Sequence, residues 1–246
     1  MKTNGIPEPG NEAIISYQKL RAFIGITGIL LPIGVVLGCW IFGAGNYSWQ
    51  PSISHYYYSK MHIVFVLILC VLGAFLITYK GKDKWESRLS NLAGYCAFGI
   101  ASLPTKFAGF LPEQYEGNQY LQLLKEVTDF WGGIHFVFAG ALFTCFTIFC
   151  LHFFQRPDEA YTGDELKKFN KRKRLYKICG WVIIVSIAMI GLLNFIIKPA
   201  EVGLFIYSTF IFETTSMWAF GIAWLVKGSA ALKKVPVVKN LIQPLR

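Results

Sequence analysis

Apolar residues in this chain come in long unbroken runs rather than in alternation or narrow stripes. Six runs read as helices: residues 22–43, 61–79, 89–107, 130–154, 178–197 and 203–226. Each is close to the ~20 residues a helix needs to cross a bilayer. Backbone groups in lipid must satisfy one another, so exposed strands or loops of this length are excluded. Barrel strands would be about ten residues with strict alternation, which is absent. The pattern predicts an all-α, polytopic membrane protein: a six-transmembrane-helix bundle forming a single integral membrane domain over residues 1–246. The third run is the weakest, because Ser102, Pro104, Thr105 and Lys106 crowd its end.

The polar segments carry their own signals. Thr162, Asp164 and Glu165 form a capping-box pattern with acids in the first turn. It predicts a basic cytoplasmic helix over 163–177 that runs on into the fifth span. Residues 227–246 are read as a cytoplasmic tail. Between the third and fourth spans, Tyr120, Leu121, Leu124 and Val127 recur at helical spacing, which suggests a short interfacial helix. Asp129 then reads as the cap of the fourth span. Gly34 and Gly38 would let a neighbouring helix approach the first span. The first three and last three spans show no internal repeat, so an inverted-repeat transporter has no support here.

Composition sharpens the class. Charged residues are 15% and apolar residues 54% of the chain, against about 25% charged in a soluble domain. The net charge is +10, and its distribution explains it. Of the 24 Lys and Arg, all but Lys60, Lys106, Lys125 and Lys198 fall on one side of the six crossings. By the positive-inside rule that side is cytoplasmic, and both termini lie there. The expected location is a multi-pass position in the cell membrane, a bacterial inner membrane. Nucleic acid is not needed as a partner. Residues 1–18 are polar and contain Glu8 and Glu12, so they are not read as a signal peptide. The six cysteines are scattered through apolar runs with no C-x-x-C pair, the pattern of reduced packing residues.

Glu213 stands out, near the middle of the sixth run. A charge at that depth costs about 2.5–3.5 kcal/mol. It calls for a partner, a proton or a water-filled cavity. Thr209, Glu213 and Ser216 form a stripe at i, i+4, i+7 that should face the bundle interior. The topology brings His55, Tyr58, His62, Lys106, Asp129 and His135 toward the same outer leaflet. If the segment before the second span is helical, His55, Tyr58 and His62 share a face. Its tyrosines also suit an interfacial aromatic belt. On the cytoplasmic side, Lys167, Lys168, Lys171, Arg172, Lys173 and Arg174 form a cluster. It is suited to anionic lipid at about 1 kcal/mol per charge, and equally to a plain positive-inside anchor.

The run of Pro51 through Tyr58 into span two, Ser90 to Gly94 opening span three, and Gly133-Ile-His135 in span four together resemble bacterial six-helix membrane proteins of the DUF998 type. The layout is more distantly similar to the Frag1/DRAM/Sfk1 membrane family, which is associated with lipid handling. The resemblance implies the topology and an association with membrane lipids; it brings no catalytic residues.

Three functions fit these residues. The first is binding or handling of a lipid or small amphiphile in an outward-facing polar pocket built on His62, His135 and Glu213. The second is a membrane-embedded hydrolase or transferase, with Glu213 as general base or histidines and an acid around a metal. The third is a proton-linked small-molecule transporter in which Glu213 and His135 exchange a proton. The first is favoured because H-E-x-x-H, G-x-S-x-G and Walker signatures are missing. Whether the chain is an enzyme stays open. No cofactor is expected, the spacing carries no metal signature, and homo-oligomerisation is left open.

Overall fold

The computed structural model describes residues 9–42, 49–106, 119–157, 162–197 and 206–232; in 9–18, 119–129, 195, 197 and 230–232 only the backbone is described. The main helices are α1 (Pro9–Phe42), α2 (His62–Thr78), α3 (Lys84–Ser102), α4 (Gln119–Leu151), α5 (Gly163–Gly191) and α6 (Ser208–Leu232). Shorter turns flank them: 3-10 turns at Ser54–Tyr58 and Phe153–Gln155, and a π-helical turn at Leu192–Ile197. No strand occurs among the described residues. The protein is all-helical.

Among the described residues, four segments have the length and apolarity to cross a membrane: Lys19–Phe42, Phe130–Gln155, Gly163–Asn194 and Ser208–Ser229. The apolar helix α2 is shorter, at 17 residues. The first turns of α3 carry Lys84, Glu86 and Arg88 and dilute its apolar run. Large side chains such as Ile63, Trp40 and Val137 point outward from the bundle. Apolar residues all around a helix fit a surface that faces hydrocarbon rather than water.

Each helix packs on its neighbours in chain order, and α6 returns to α1, which closes the ring. The closure is tight because glycines face each other. A Cβ on Gly25 would stand 2.5 Å from the Gly221 carbonyl oxygen, and one on Gly221 2.6 Å from that of Gly25. Nearer the helix ends, a Cβ on Gly228 would lie 2.8 Å from the Ala22 nitrogen. Backbones in contact gain dispersion where lipid supplies no hydrophobic drive between helices. The centre is aromatic. Phe146 of α4 stacks on Phe220 of α6 at 3.4 Å, and Trp224 packs edge-on against Tyr79, Phe149 and Phe154.

Several boundaries differ from the hydropathy reading. Helix α4 begins at Gln119, so the expected interfacial helix and the fourth span are one continuous helix. Asp129 is therefore inside a helix rather than at its cap, and its side chain is outside the described residues. The tail beyond residue 232 and the sequence of 107–118 also lie outside them. Helix α3 stops at Ser102, before Pro104 disfavours a helical residue ahead of it. Helix α5 starts at Gly163 and runs unbroken through the basic segment.

A Gly221→Val exchange should lower stability by about 1–3 kcal/mol, because the added carbons meet backbone that cannot rotate away. Thermal unfolding in detergent checks this against Gly133→Ala, where a Cβ has nothing within 4 Å.

Candidate functional site

Residues 49–61 lead into α2 and lie against one end of the bundle. The first job of this segment is to satisfy its own backbone. Residues 52–56 begin with 3-10 bonds, His55 N–H to the Ser52 carbonyl at 3.2 Å and Tyr56 N–H to that of Ile53 at 3.2 Å. Ser59 ends this turn and prepares the next helix. Its hydroxyl donates to the Tyr56 carbonyl at 2.8 Å and accepts the Met61 N–H at 3.0 Å. The break at Ser59 means that His55, Tyr58 and His62 do not lie on one helical face.

Ile53, the cap position of the 3-10 turn, has no side-chain capping bond of its own kind. Glu213 supplies one from α6. Its Oε2 accepts the Ile53 N–H at 2.6 Å, and the Ser54 N–H is directed to the same carboxylate. An anion at the start of a helical turn meets unpaired N–H groups and the positive end of their dipoles. Glu213 is in the second turn of α6 (Ser208–Leu232), near a helix end rather than mid-run, because the helix starts later than hydropathy indicates. A second bond ties the same elements: the Phe210 N–H, in the unpaired first turn of α6, donates to the Pro51 carbonyl at 2.9 Å.

His135 holds the segment from α4. It is 2% exposed. Its Nδ1 lies 2.8 Å from the Leu103 carbonyl and its Nε2 lies 3.0 Å from Ser54 Oγ. A carbonyl only accepts, so Nδ1 carries the proton and Ser54 Oγ donates to Nε2. Gly132 lets the end of α3 pass closely, since a Cβ there would meet the Lys106 nitrogen at 2.5 Å. Tyr58 completes the fastening, with Oη donating to the Thr105 carbonyl at 2.5 Å.

Glu213 and His135 thus meet through adjacent residues, Ile53 and Ser54, and share no direct bond. His55 joins them: its Nδ1 is 2.6 Å from Ser52 Oγ. Its Nε2 is buried and has no hydrogen-bond partner among the described residues. Burial pushes the His55 imidazole down to about 4, and neighbouring His135 adds to this. His62 stands apart, with Nδ1 2.6 Å from the Tyr57 carbonyl and its ring edge-on to Tyr57 at 4.3 Å. Lys106 is exposed. Thr209 Oγ1 accepts from Asn194 Nδ2 of the π-helical turn at 3.0 Å. Ser216 is fully buried and its hydroxyl has no partner among the described residues. In the basic cluster, Lys167, Lys168, Lys171 and Arg174 are exposed. Arg172 and Lys173 lean on the Phe169 ring at 5.9 and 5.7 Å.

The opposite end of the bundle holds a cluster that hydropathy did not reveal. Glu86 is 1% exposed. Its Oε1 accepts from Tyr79 Oη at 2.7 Å and its Oε2 from the Lys82 N–H at 3.0 Å. Arg21, also buried, donates through Nη2 to Tyr79 Oη at 3.1 Å. Lys227 is buried beside it, with Nζ over the Phe154 ring at 5.7 Å. Next to this, Asp83 caps α3 by accepting from the Trp85 and Glu86 N–H groups and pairs with Arg156. The Glu86 N–H bond, then the Arg156 pair, hold the Asp83 carboxyl below the usual carboxylate range.

Ser54 and His135 have the separation of a nucleophile and its base. The orienting group behind His135 is a backbone carbonyl, and the nearby Ile53 and Ser54 N–H groups are turned to Glu213 rather than to a reacting oxygen. Among the described residues, no three His, Cys, Asp or Glu side chains gather to hold a metal. The chain matches no family model, no curated protein and no solved structure.

The folded pKa of His55, about 4, lies below its ordinary 6.5. As pH falls, the unfolded chain takes the proton first. The stability tied to this group is intact above 6.5, declines between 6.5 and 4, and levels off below. Thermal unfolding against pH should show that decline in the native chain and a shallower one in His55→Phe.

Proposed function

We propose that all six helices cross a bacterial cell membrane with the basic loops and both termini inside, and that the cluster at the outer end of the bundle binds the polar head of a lipid or small amphiphile. The partition of Lys and Arg supports the orientation, because it alternates without exception across six crossings. The DUF998-type layout is in keeping with it. The observation that carries the ligand reading is His55 Nε2. Its neighbours Ser52, Ser54, His135 and Glu213 all have partners, yet this buried ring nitrogen has none among the described residues. A buried polar atom left unpaired in an otherwise satisfied network costs free energy until a ligand group pairs with it. His55 stays neutral there, which suits an uncharged hydroxyl, amide or protonated phosphate head. The exposed Lys167, Lys168, Lys171 and Arg174 are placed to rest on anionic lipid of the inner leaflet.

Native mass spectrometry of protein extracted in mild detergent should show a retained amphiphile. His55→Phe keeps the ring and loses Nε2, and occupancy should fall about fivefold, the worth of one hydrogen bond. Repeated observation of bare native protein would remove this reading.

A second reading rests on one specific geometry, the 3.0 Å contact of Ser54 Oγ with His135 Nε2. It would make Ser54 a nucleophile in a membrane-embedded hydrolase. A fluorophosphonate probe decides it. Labelling of Ser54 that is lost in His135→Gln supports hydrolysis; an unlabelled chain leaves the binding reading alone.

A further inference from the structure

Hydrogen counting at the turn decides what the unpaired His55 nitrogen offers. Ser52 is 3% exposed, and among the described residues its hydroxyl meets only His55. Its Oγ accepts the His55 backbone N–H at 3.2 Å and lies 2.6 Å from the ring Nδ1. Two arrangements fit these contacts. If Nδ1 carries the ring proton and donates to Oγ, the Ser52 hydroxyl hydrogen has no acceptor and Nε2 is an acceptor without a donor. If the hydroxyl donates to Nδ1, both of those atoms are satisfied and only an Nε2–H group is left over. One stranded group costs less than two. Burial pushes the His55 pKa down to about 4, so the neutral ring carries one proton. That proton is on Nε2.

The neighbouring pair is built the other way round. Ser54 Oγ also donates to an imidazole, but to Nε2 of His135, whose Nδ1 proton is directed to the Leu103 carbonyl. Both ring nitrogens of His135 are therefore occupied, and of the two rings only His55 presents an N–H without a partner among the described residues. His55 is half-buried rather than sealed in the core.

We propose that His55 Nε2–H, oriented by the Ser52 hydroxyl, donates to an uncharged carbonyl oxygen, the ester or amide carbonyl of the bound amphiphile. This rests on the binding reading and names the group recognised. A donor needs an acceptor oxygen. The side chains bonded around it, Ser52, Ser54, His135 and Glu213, include an acid and no lysine or arginine. An anionic oxygen would be buried there without a counter-charge. A hydroxyl would bring a hydrogen that needs an acceptor of its own. A carbonyl brings neither.

Two measurements on the purified full chain test this. With isotopically labelled histidine, ring nitrogen shifts in NMR separate the two neutral tautomers. The His55 signals are those missing from His55→Phe, or from His55→Gln should the first variant not fold. The Nε2-protonated form is expected, and Ser52→Ala should turn it into a mixture. An Nδ1-protonated ring in the native chain overturns the inference and leaves the binding reading standing. An unchanged ring in Ser52→Ala overturns the part given to Ser52. Native mass spectrometry then compares monopalmitoyl glycerol, an ester, with palmitoyl ethanolamide, an amide, and with hexadecyl glycerol, an ether that lacks the carbonyl. The better of the two carbonyl probes should exceed the ether about fivefold, the worth of one hydrogen bond, and its identity shows whether ester or amide is read. The His55 variant that folds should lose that preference. An ether bound as well as both carbonyl probes overturns the carbonyl assignment. No binding of any probe by the native chain overturns the binding reading and this inference together.

Discussion

Backbone N–H groups at the end of a helix bundle must be paired, and the carboxylate of Glu213 pairs those of Ile53 and Ser54. The turn Ser54–Tyr58 cannot pair them itself, because the first N–H groups of a helical turn have no carbonyl ahead of them. Capping it from α6 fixes where the turn Ser54–Tyr58 sits. That placement sends Ser54 Oγ to His135, Tyr58 to the end of α3, and buries Tyr56 and Ile53 against the core. Acid, imidazole and turn form one fastening that draws α3, α4 and α6 together. The acid that appeared too costly for a crossing helix is repaid by two N–H donors that would otherwise be stranded.

The opposite end uses the same logic with other groups. Glu86 accepts from Tyr79 and from the Lys82 backbone, while Arg21 reaches the same tyrosine. Each end of the ring is thus pinned by one acid, Glu86 buried and Glu213 partly buried, that binds a connecting segment back onto the helices. Between them, contact is apolar and close, with facing glycines on α1 and α6 and stacked aromatics on α4 and α6. Polar fasteners at the ends fix register, and dispersion in the middle supplies cohesion.

Helix existence was legible in the sequence because apolar run length is a property of single segments. Glu213, His135 and His55 were legible as candidates because polar groups in apolar runs are conspicuous. Their roles were not. Residues 53 and 213 are joined by a backbone donor, which no residue type announces. His62 looked equivalent to His135, yet it satisfies itself on Tyr57 within its own connection. Glu86 was hidden in the opposite way. It lies among Lys82, Asp83, Lys84 and Arg88 and reads as part of a solvated loop. Only the fold brings Tyr79 and Arg21 over it. Helix starts were also missed, since α4 begins ahead of its apolar run and α6 begins within its own.

The same hydrogen bonds bear on whether this end of the bundle binds or reacts. Acyl transfer needs donors that wait for a developing oxyanion. Here the two N–H groups best placed beside Ser54 already face the Glu213 carboxyl, an arrangement that opposes their use for an oxyanion. A ligand that only hydrogen-bonds meets no such opposition. It needs one polar atom without a partner, and His55 Nε2 has none among the described residues. The cost of leaving that nitrogen unpaired is borne by the surrounding bonds, which hold it in place whether or not a ligand is present. A polar atom already held in place loses little entropy on pairing, which is in keeping with the proposed binding role more than with turnover.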